Sequence, residues 1–272
     1  MSDQKEQFLR NMDQAENVYL MGFLWADGYV GKKYDIRIET KASDFDYLQP
    51  LLERYGFTSF RTRMRYRDGK PFGSMQKEFC VGDVSLNKTL QDIGYREKSI
   101  IAPSKILSVI PPNKRYLWWR GFFDGDGCFY CRGASHVFAV WGSIEQDWTE
   151  LYSLFNMLGI HSWRFVTYRR KGGRHCSSSV SIGKQEDIKK VGDYIYQDHM
   201  HIGFTRKYEK YLMCLKPPSP SFDKQISAKP GVHFSVWNGK WICRKTINHR
   251  RVVIGSFADY DDACKAYNKY NE

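Results

Sequence analysis

Apolar positions along the chain change their period in a fixed order, and the order repeats. Two nearly unbroken apolar runs, Y-L-M-G-F-L-W-A-D-G-Y-V at 19–30 and L-W-W-R-G-F-F-D-G-D-G-C-F at 117–129, read as buried helices ending in an acid and then a glycine. After the first run, residues 29–31 and 35–41 read as short strands around a Gly-Lys-Lys turn. Phe45, Leu48, Leu51 and Leu52 then recur at helical spacing over 44–55, with Asp44 as candidate N-cap and Gly56 as terminator. A hairpin follows, with strands at 57–67 and 75–81 and a turn at Asp68-Gly69. Leu86, Leu90 and Ile93 mark a further helix, stopped by Gly94. The second half repeats the series: two strands within 127–141, a helix at 147–158, a hairpin of 162–170 with 176–182, and a helix at 185–196.

The repeat can be placed residue by residue. Gly22, Asp27 and Gly28 align with Gly121, Asp126 and Gly127 at an offset of 99, and Asp44 and Gly56 align with Asp147 and Gly159 at 103. Val81-Gly82 matches Ile182-Gly183, and Gly94-Tyr95 is echoed by Gly203-Phe204. The expectation is an α+β fold of two αββαββα halves about a pseudo-twofold axis, 1–112 and 113–216. A Pro/Ser-rich linker at 217–229 precedes a small domain at 230–272 with three strands and a helix over 259–270.

Charge narrows the partner. Forty-two Lys and Arg against thirty Asp and Glu give a net charge of +12, and the pI is about 9.3. Such an excess favours a polyanion, either nucleic acid or an acidic membrane. No apolar run reaches transmembrane length, and the start M-S-D-Q-K-E-Q is no signal peptide, so no membrane partner is expected and nucleic acid remains. Seven scattered cysteines fit reduced thiols in a cytoplasmic setting, be it a nucleoid, a phage-infected cell or an organelle. The single C-x-x-C, Cys128 to Cys131, lacks the second pair of a zinc ribbon and falls on a strand that would point the thiols apart.

Within each apolar run a small residue recurs four positions on, Gly22 with Ala26 and Gly121 with Gly125, so two helices could approach closely along these faces. Asp27 and Asp126 end the helices where a carboxylate opposes the dipole. Packed side by side, the two carboxylates need a cation between them, and Mg²⁺ suits oxygen ligands. These runs resemble the two motifs of single-chain LAGLIDADG homing endonucleases. The resemblance implies motif helices at the interface of the halves, with the last acid of each motif binding divalent metal and activating hydrolysis of DNA phosphodiesters. It adds the carbonyls of Ala26 and Gly125 as oxygen donors and Mn²⁺ as a substitute metal. It also implies a basic residue after the fourth strand, which is Lys184 in I-G-K-Q but Asp83 in V-G-D-V. A monomer cutting both strands of a long duplex site, leaving 3′ overhangs, is the implied activity. The alternative is an intron RNA-splicing maturase or a non-catalytic DNA-binding regulator on the same fold, which admits intron RNA as a partner.

The binding face is marked by Arg61, Arg63, Arg65 and Arg67, which alternate along one strand and so point one way. Four like charges in a row make sense opposite an anion. Arg164, Tyr168 and Arg170 are the counterparts, and Arg37 and Lys41 share a face with Glu39. The last 43 residues resemble the Apetala/ethylene-response-factor DNA-binding domain, which lays a three-stranded sheet in the major groove. Trp237 and Arg251 match contact positions of that family, whereas Pro230, His233, Ser235 and Val253 depart from its usual Arg or Trp.

Overall fold

A computed structural model describes residues 11–54, 59–64, 66–67, 69–132, 135–169, 176–198, 202–216, 231–235, 239–247 and 250–270. The chain divides into two compact units, one of Met1–Tyr130 with His136–Lys216, the other of Pro217–Glu272 with Cys131–Ser135.

In the first unit the expected order is present twice. The first repeat runs α1 (Ala15–Asp27), β1 (Gly28–Val30), β2 (Asp35–Lys41), α2 (Ala42–Glu53), β3 (Phe60–Arg63), β4 (Tyr66–Arg67), β5 (Lys70–Pro71), β6 (Gln76–Gly82), α3 (Val84–Asp92) and α4 (Ser104–Val109). The second runs α5 (Arg115–Asp126), β7 (Gly127–Arg132), β8 (Ser135–Ser143), α6 (Thr149–Met157), β9 (Trp163–Arg169), β10 (Cys176–Ile182), α7 (Gln185–Ile195) and α8 (Thr205–Leu215). Their sheets have the same strand order, β1-β2-β6-β3 and β7-β8-β10-β9. Alternation buries one face of each: Ile36 and Ile38 in the first, Phe138, Val140, Val180 and Ile182 in the second. Tyr29 on the first opposite face and Trp141 and Tyr168 on the second are exposed.

Three local expectations need correction. Asp44 is not an N-cap: α2 starts two residues earlier, after Lys41, and the Asp44 carboxylate is buried against Arg206 instead. The strand with alternating arginines is broken at Met64, because Tyr66–Arg67 turns back on Lys70–Pro71 about Gly69 (φ +74°) as a ladder of its own. The shared face therefore holds for Arg61 and Arg63 only. Helices α4 and α8 are additional to the elements expected from the sequence.

The second unit has an antiparallel sheet β11 (Val232–Ser235), β12 (Lys240–Ile247) and β13 (Arg250–Phe257), followed by α9 (Tyr260–Lys269). Asp259 caps α9 by accepting from the Asp261 amide at 2.7 Å. The core is small: Val232, Cys243, Ala263 and Cys264, flanked by Trp241 and Phe257.

Candidate active site

The centre of the first unit is a helix crossing made by glycine. A Cβ added to Gly22 would lie 1.9 Å from the Trp118 carbonyl oxygen and 3.0 Å from the Phe122 nitrogen. One added to Gly121 would lie 2.0 Å from the Tyr19 carbonyl oxygen and 2.8 Å from the Phe23 nitrogen. Trp118 and Phe122 hold in α5 the places of Tyr19 and Phe23 in α1, so these are one contact seen from both sides of a pseudo-twofold axis. Backbones this close exclude any side chain larger than hydrogen. One turn on, a Cβ on Gly125 would meet the Ala26 Cβ at 2.4 Å and the Asp27 carboxyl carbon at 3.3 Å. The two motif ends are thus adjacent. The glycines after the acids serve space rather than a left-handed turn, since Gly28 and Gly127 have φ of −80° and −89°. Side chains there would collide with the Leu24 and Phe123 carbonyl oxygens, at 2.3 and 2.6 Å.

Bringing two carboxylates together in a half-buried place has an electrostatic cost. Burial, and then the charge of Asp27, pushes Asp126 up to about 7, against a partial opposing pull from Lys98 and Lys207. Asp27 is also raised, chiefly by burial. The pair is therefore short of positive charge, which is the condition a divalent cation would relieve. Asp27 and Gly125 open on a cleft of about 510 Å³ that Asp44 and Arg206 also line. Among the described residues no cluster of three or more His, Cys, Asp or Glu is available, so further metal ligands would be carbonyls, water or phosphate oxygens.

Two lysines at this site had escaped the sequence reading. The Lys98 ammonium donates to the carbonyls of Trp25 (2.5 Å) and Ala26 at the end of α1. Lys207 donates to the carbonyls of Phe123 (3.3 Å) and Gly127 at the end of α5. Each lysine meets the negative pole of a motif helix and lies in the field of the carboxylates. Burial lowers Lys98 to about 8, with Asp126 and Asp27 opposing the shift. The signal was present in the chain: G-Y-R-E-K at 94–98 and G-F-T-R-K at 203–207 put each lysine four residues after the repeated glycine. It was missed because the helix ends and these loops meet only in space.

Other groups fix the second loop. Asp124, the acid that Trp25 replaces in the first motif, is buried and accepts from the Tyr19 hydroxyl (2.8 Å) and the Phe204 amide (2.9 Å). Arg120, also buried, donates to the carbonyls of Ile195 (2.6 Å) and Ile202 (2.8 Å) and pairs with Asp198. Arg206 forms a two-pronged pair with Asp44, joining the second repeat to the first.

The remaining sequence-predicted residues are placed as follows. The Ala26 carbonyl is one of the Lys98 acceptors. Lys184 stands exposed at the N-terminal boundary of α7, while Asp83, its counterpart, caps α3 by accepting from the Leu86 amide at 2.9 Å. Arg37, Lys41, Arg61 and Arg63 do share the outer face of the first sheet, by the pairings Arg61 with Glu78 and Arg63 with Gln76. They are not a bare row of cations: Glu39 pairs with Arg63, and Asp35 with Arg37 at 3.2 Å. Arg164 and Tyr168 lie on the outer face of the second sheet. Arg65, Arg170 and Trp237 fall outside the described residues, and Arg67 and Arg251 are placed by backbone alone, the latter opposite Thr246.

Several solved structures are similar to this chain in fold. The homing endonuclease I-WcaI bound to its DNA recognition sequence is similar with a TM-score of 0.50 at 14% identity, covering 72% of this chain and 85% of that one. The I-SmaMI LAGLIDADG homing endonuclease bound to cleaved DNA matches with a TM-score of 0.45 at 15% identity, over 72% and 86% of the two chains. The LAGLIDADG meganuclease I-AabMI bound to uncleaved DNA gives 0.45 at 12%, over 72% and 89%. No protein-family model matches the chain, and no curated protein matches it. The fold of the first unit is that of the LAGLIDADG homing endonucleases.

Proposed function

We propose that this chain is a DNA endonuclease of the homing type, hydrolysing both strands of a duplex with a divalent metal, Mg²⁺ by preference, and working as a monomer. One observation carries the reading: Asp27 and Asp126 are forced together at the ends of two glycine-packed helices, with a lysine held at each end. That arrangement is costly for a merely structural crossing and useful for phosphoryl chemistry. A net charge of +12 and two outward sheet faces suit a polyanionic duplex.

Hydrolysis joins a water oxygen to phosphorus and breaks the bond to the 3′ oxygen, which leaves with a proton. A divalent metal, when bound, neutralises the phosphate and acidifies water. Asp27 and Asp126 would hold it, with the Gly125 carbonyl at hand. Lys98, lowered to about 8, can hold or release a proton at Nζ near neutral pH beside both carboxylates. Lys207 occupies the equivalent place at α5 and stabilises negative charge on the other strand. The helix crossing, closed by backbone contact at Gly22 and Gly121, holds the ends of the two helices side by side.

The test is cleavage of a target-bearing plasmid in Mg²⁺. Asp27→Asn and Asp126→Asn should each abolish double-strand cutting while duplex binding persists. Retained double-strand cutting in either variant would sink the proposal, as would filter binding that favours structured intron RNA over duplex DNA.

A further inference from the structure

The two repeats present unlike surfaces to a ligand, although their backbones correspond. On the first sheet the rows across β2, β6 and β3 are Glu39–Glu78–Arg61 and Lys41–Gln76–Arg63, with Arg37 two residues from Glu39. Donor guanidinium groups and an acceptor carboxylate are therefore interleaved, as the Glu39–Arg63 pair demonstrates. On the second sheet the equivalent rows are Trp141–Ser179–Val166, Ala139–Ser181–Arg164 and Ser143–Ser177–Tyr168. Arg164 is the one charged residue in those three rows. Trp141 and Tyr168, both more than 40% exposed, lean together with ring centroids 5.1 Å apart. An exposed aromatic pair beside a valine and an alanine, bordered by hydroxyls and one arginine, offers more apolar contact than the first sheet does.

We infer that the repeats read half-sites of opposite composition, the first repeat a G·C-containing half and the second an A·T-rich half recognised through thymine methyl groups. The inference rests on the DNA reading above and adds the base preference of each sheet. In the major groove guanine offers two acceptors that fit a guanidinium, and its cytosine partner offers an amino donor that a carboxylate accepts. The interleaved Arg61, Arg63 and Glu39 supply both. The A·T pair instead offers the thymine C5 methyl, which favours apolar contact, and serine accepts or donates to either base. Trp141, Val166 and Tyr168 with Ser177 and Ser179 supply that set. The pseudo-twofold of the fold is thus not matched by a palindromic target.

The experiment is selection of bound duplexes from a randomised library by the full chain without divalent metal, followed by thymine-to-uracil replacement in the selected site. One half should be A·T-rich and the other should contain G·C pairs. Trp141→Ala should relax preference in the A·T half alone, and Arg61→Ala in the G·C half alone. Each uracil replacing a contacted thymine in the A·T half should weaken binding about fourfold, from loss of one buried methyl. The same replacement in the other half should change nothing. Halves of like composition, a G·C-rich half beneath Trp141, or indifference to the methyl group would overturn the inference while leaving the nuclease reading intact. Recovery of no preferred sequence would remove both.

Discussion

Replacing Gly121 with alanine separates two physical accounts of the helix crossing by sign. Intrinsic helix propensity favours alanine over glycine by about 1 kcal/mol, so an ordinary surface helix would be stabilised. Here the new methyl would stand 2.0 Å from the Tyr19 carbonyl oxygen, well inside contact distance, and the obstacle is backbone that cannot rotate away. The helices must part by on the order of 1 Å, which opens the aromatic core around Trp118 and Phe123; overpacking of this kind costs about 1–3 kcal/mol, and the backbone collision puts it at the upper end. After the propensity gain, a net loss of about 2 kcal/mol remains, lowering the midpoint of thermal unfolding by about 4–8 °C. Parting the helices also separates Asp27 from Asp126, and a misplacement near 1 Å costs about a hundredfold in rate. Gly183→Ala is the control, because its Cβ would meet nothing nearer than 3.8 Å. Calorimetry and plasmid cleavage on the same samples check both effects. An unchanged or raised melting temperature in Gly121→Ala, or full cutting activity, would refute the reasoning.

Three further outcomes follow from the site. Lys98→Met and Lys207→Met should each slow cleavage by about 10²–10³ with duplex binding retained, measured by strand-resolved gel kinetics; unaltered rates would exclude the lysines from the chemistry. In metal-free protein Asp126 is raised to about 7 from 3.8, so the folded state keeps a proton that the unfolded chain has released. Its contribution to stability is therefore present below about pH 4 and lost as pH rises through 7. Urea midpoints should fall between pH 5 and 8, and Asp126→Asn should flatten that slope; a slope unaltered by the substitution would count against the assignment. Asp44→Ala leaves Arg206 without its carboxylate partner, and since the guanidinium is partly exposed the loss should be about 1–3 kcal/mol, read by urea unfolding against the parent chain. No change there would mean that the pair between the repeats contributes nothing.

How much the chain discloses depends on how local the cause is. Periodicity and the offset near 99 residues determined the double α-β-β-α-β-β-α order, because helices, strands and turns are governed by neighbours a few positions apart. The same reading put Asp27 and Asp126 together, since small residues at four-residue spacing mark the face along which two helices meet. The helix over 259–270 lay equally open, whereas its cap, the Asp259 carboxylate accepting from the Asp261 amide, came with the structure. What lay beyond the sequence was the choice of partner for the charged groups around the Asp27–Asp126 pair. Asp44 looked like a helix cap until Arg206, 162 positions on, claimed its carboxylate. The arginine row looked unopposed until Glu39 and Glu78 were laid beside it by strand pairing. Lys98 and Lys207 gained meaning only where the loops that carry them met the last carbonyls of α1 and α5. Local pattern fixes the elements, but charge compensation in a half-buried site is settled by whichever partners the packed backbone brings within reach.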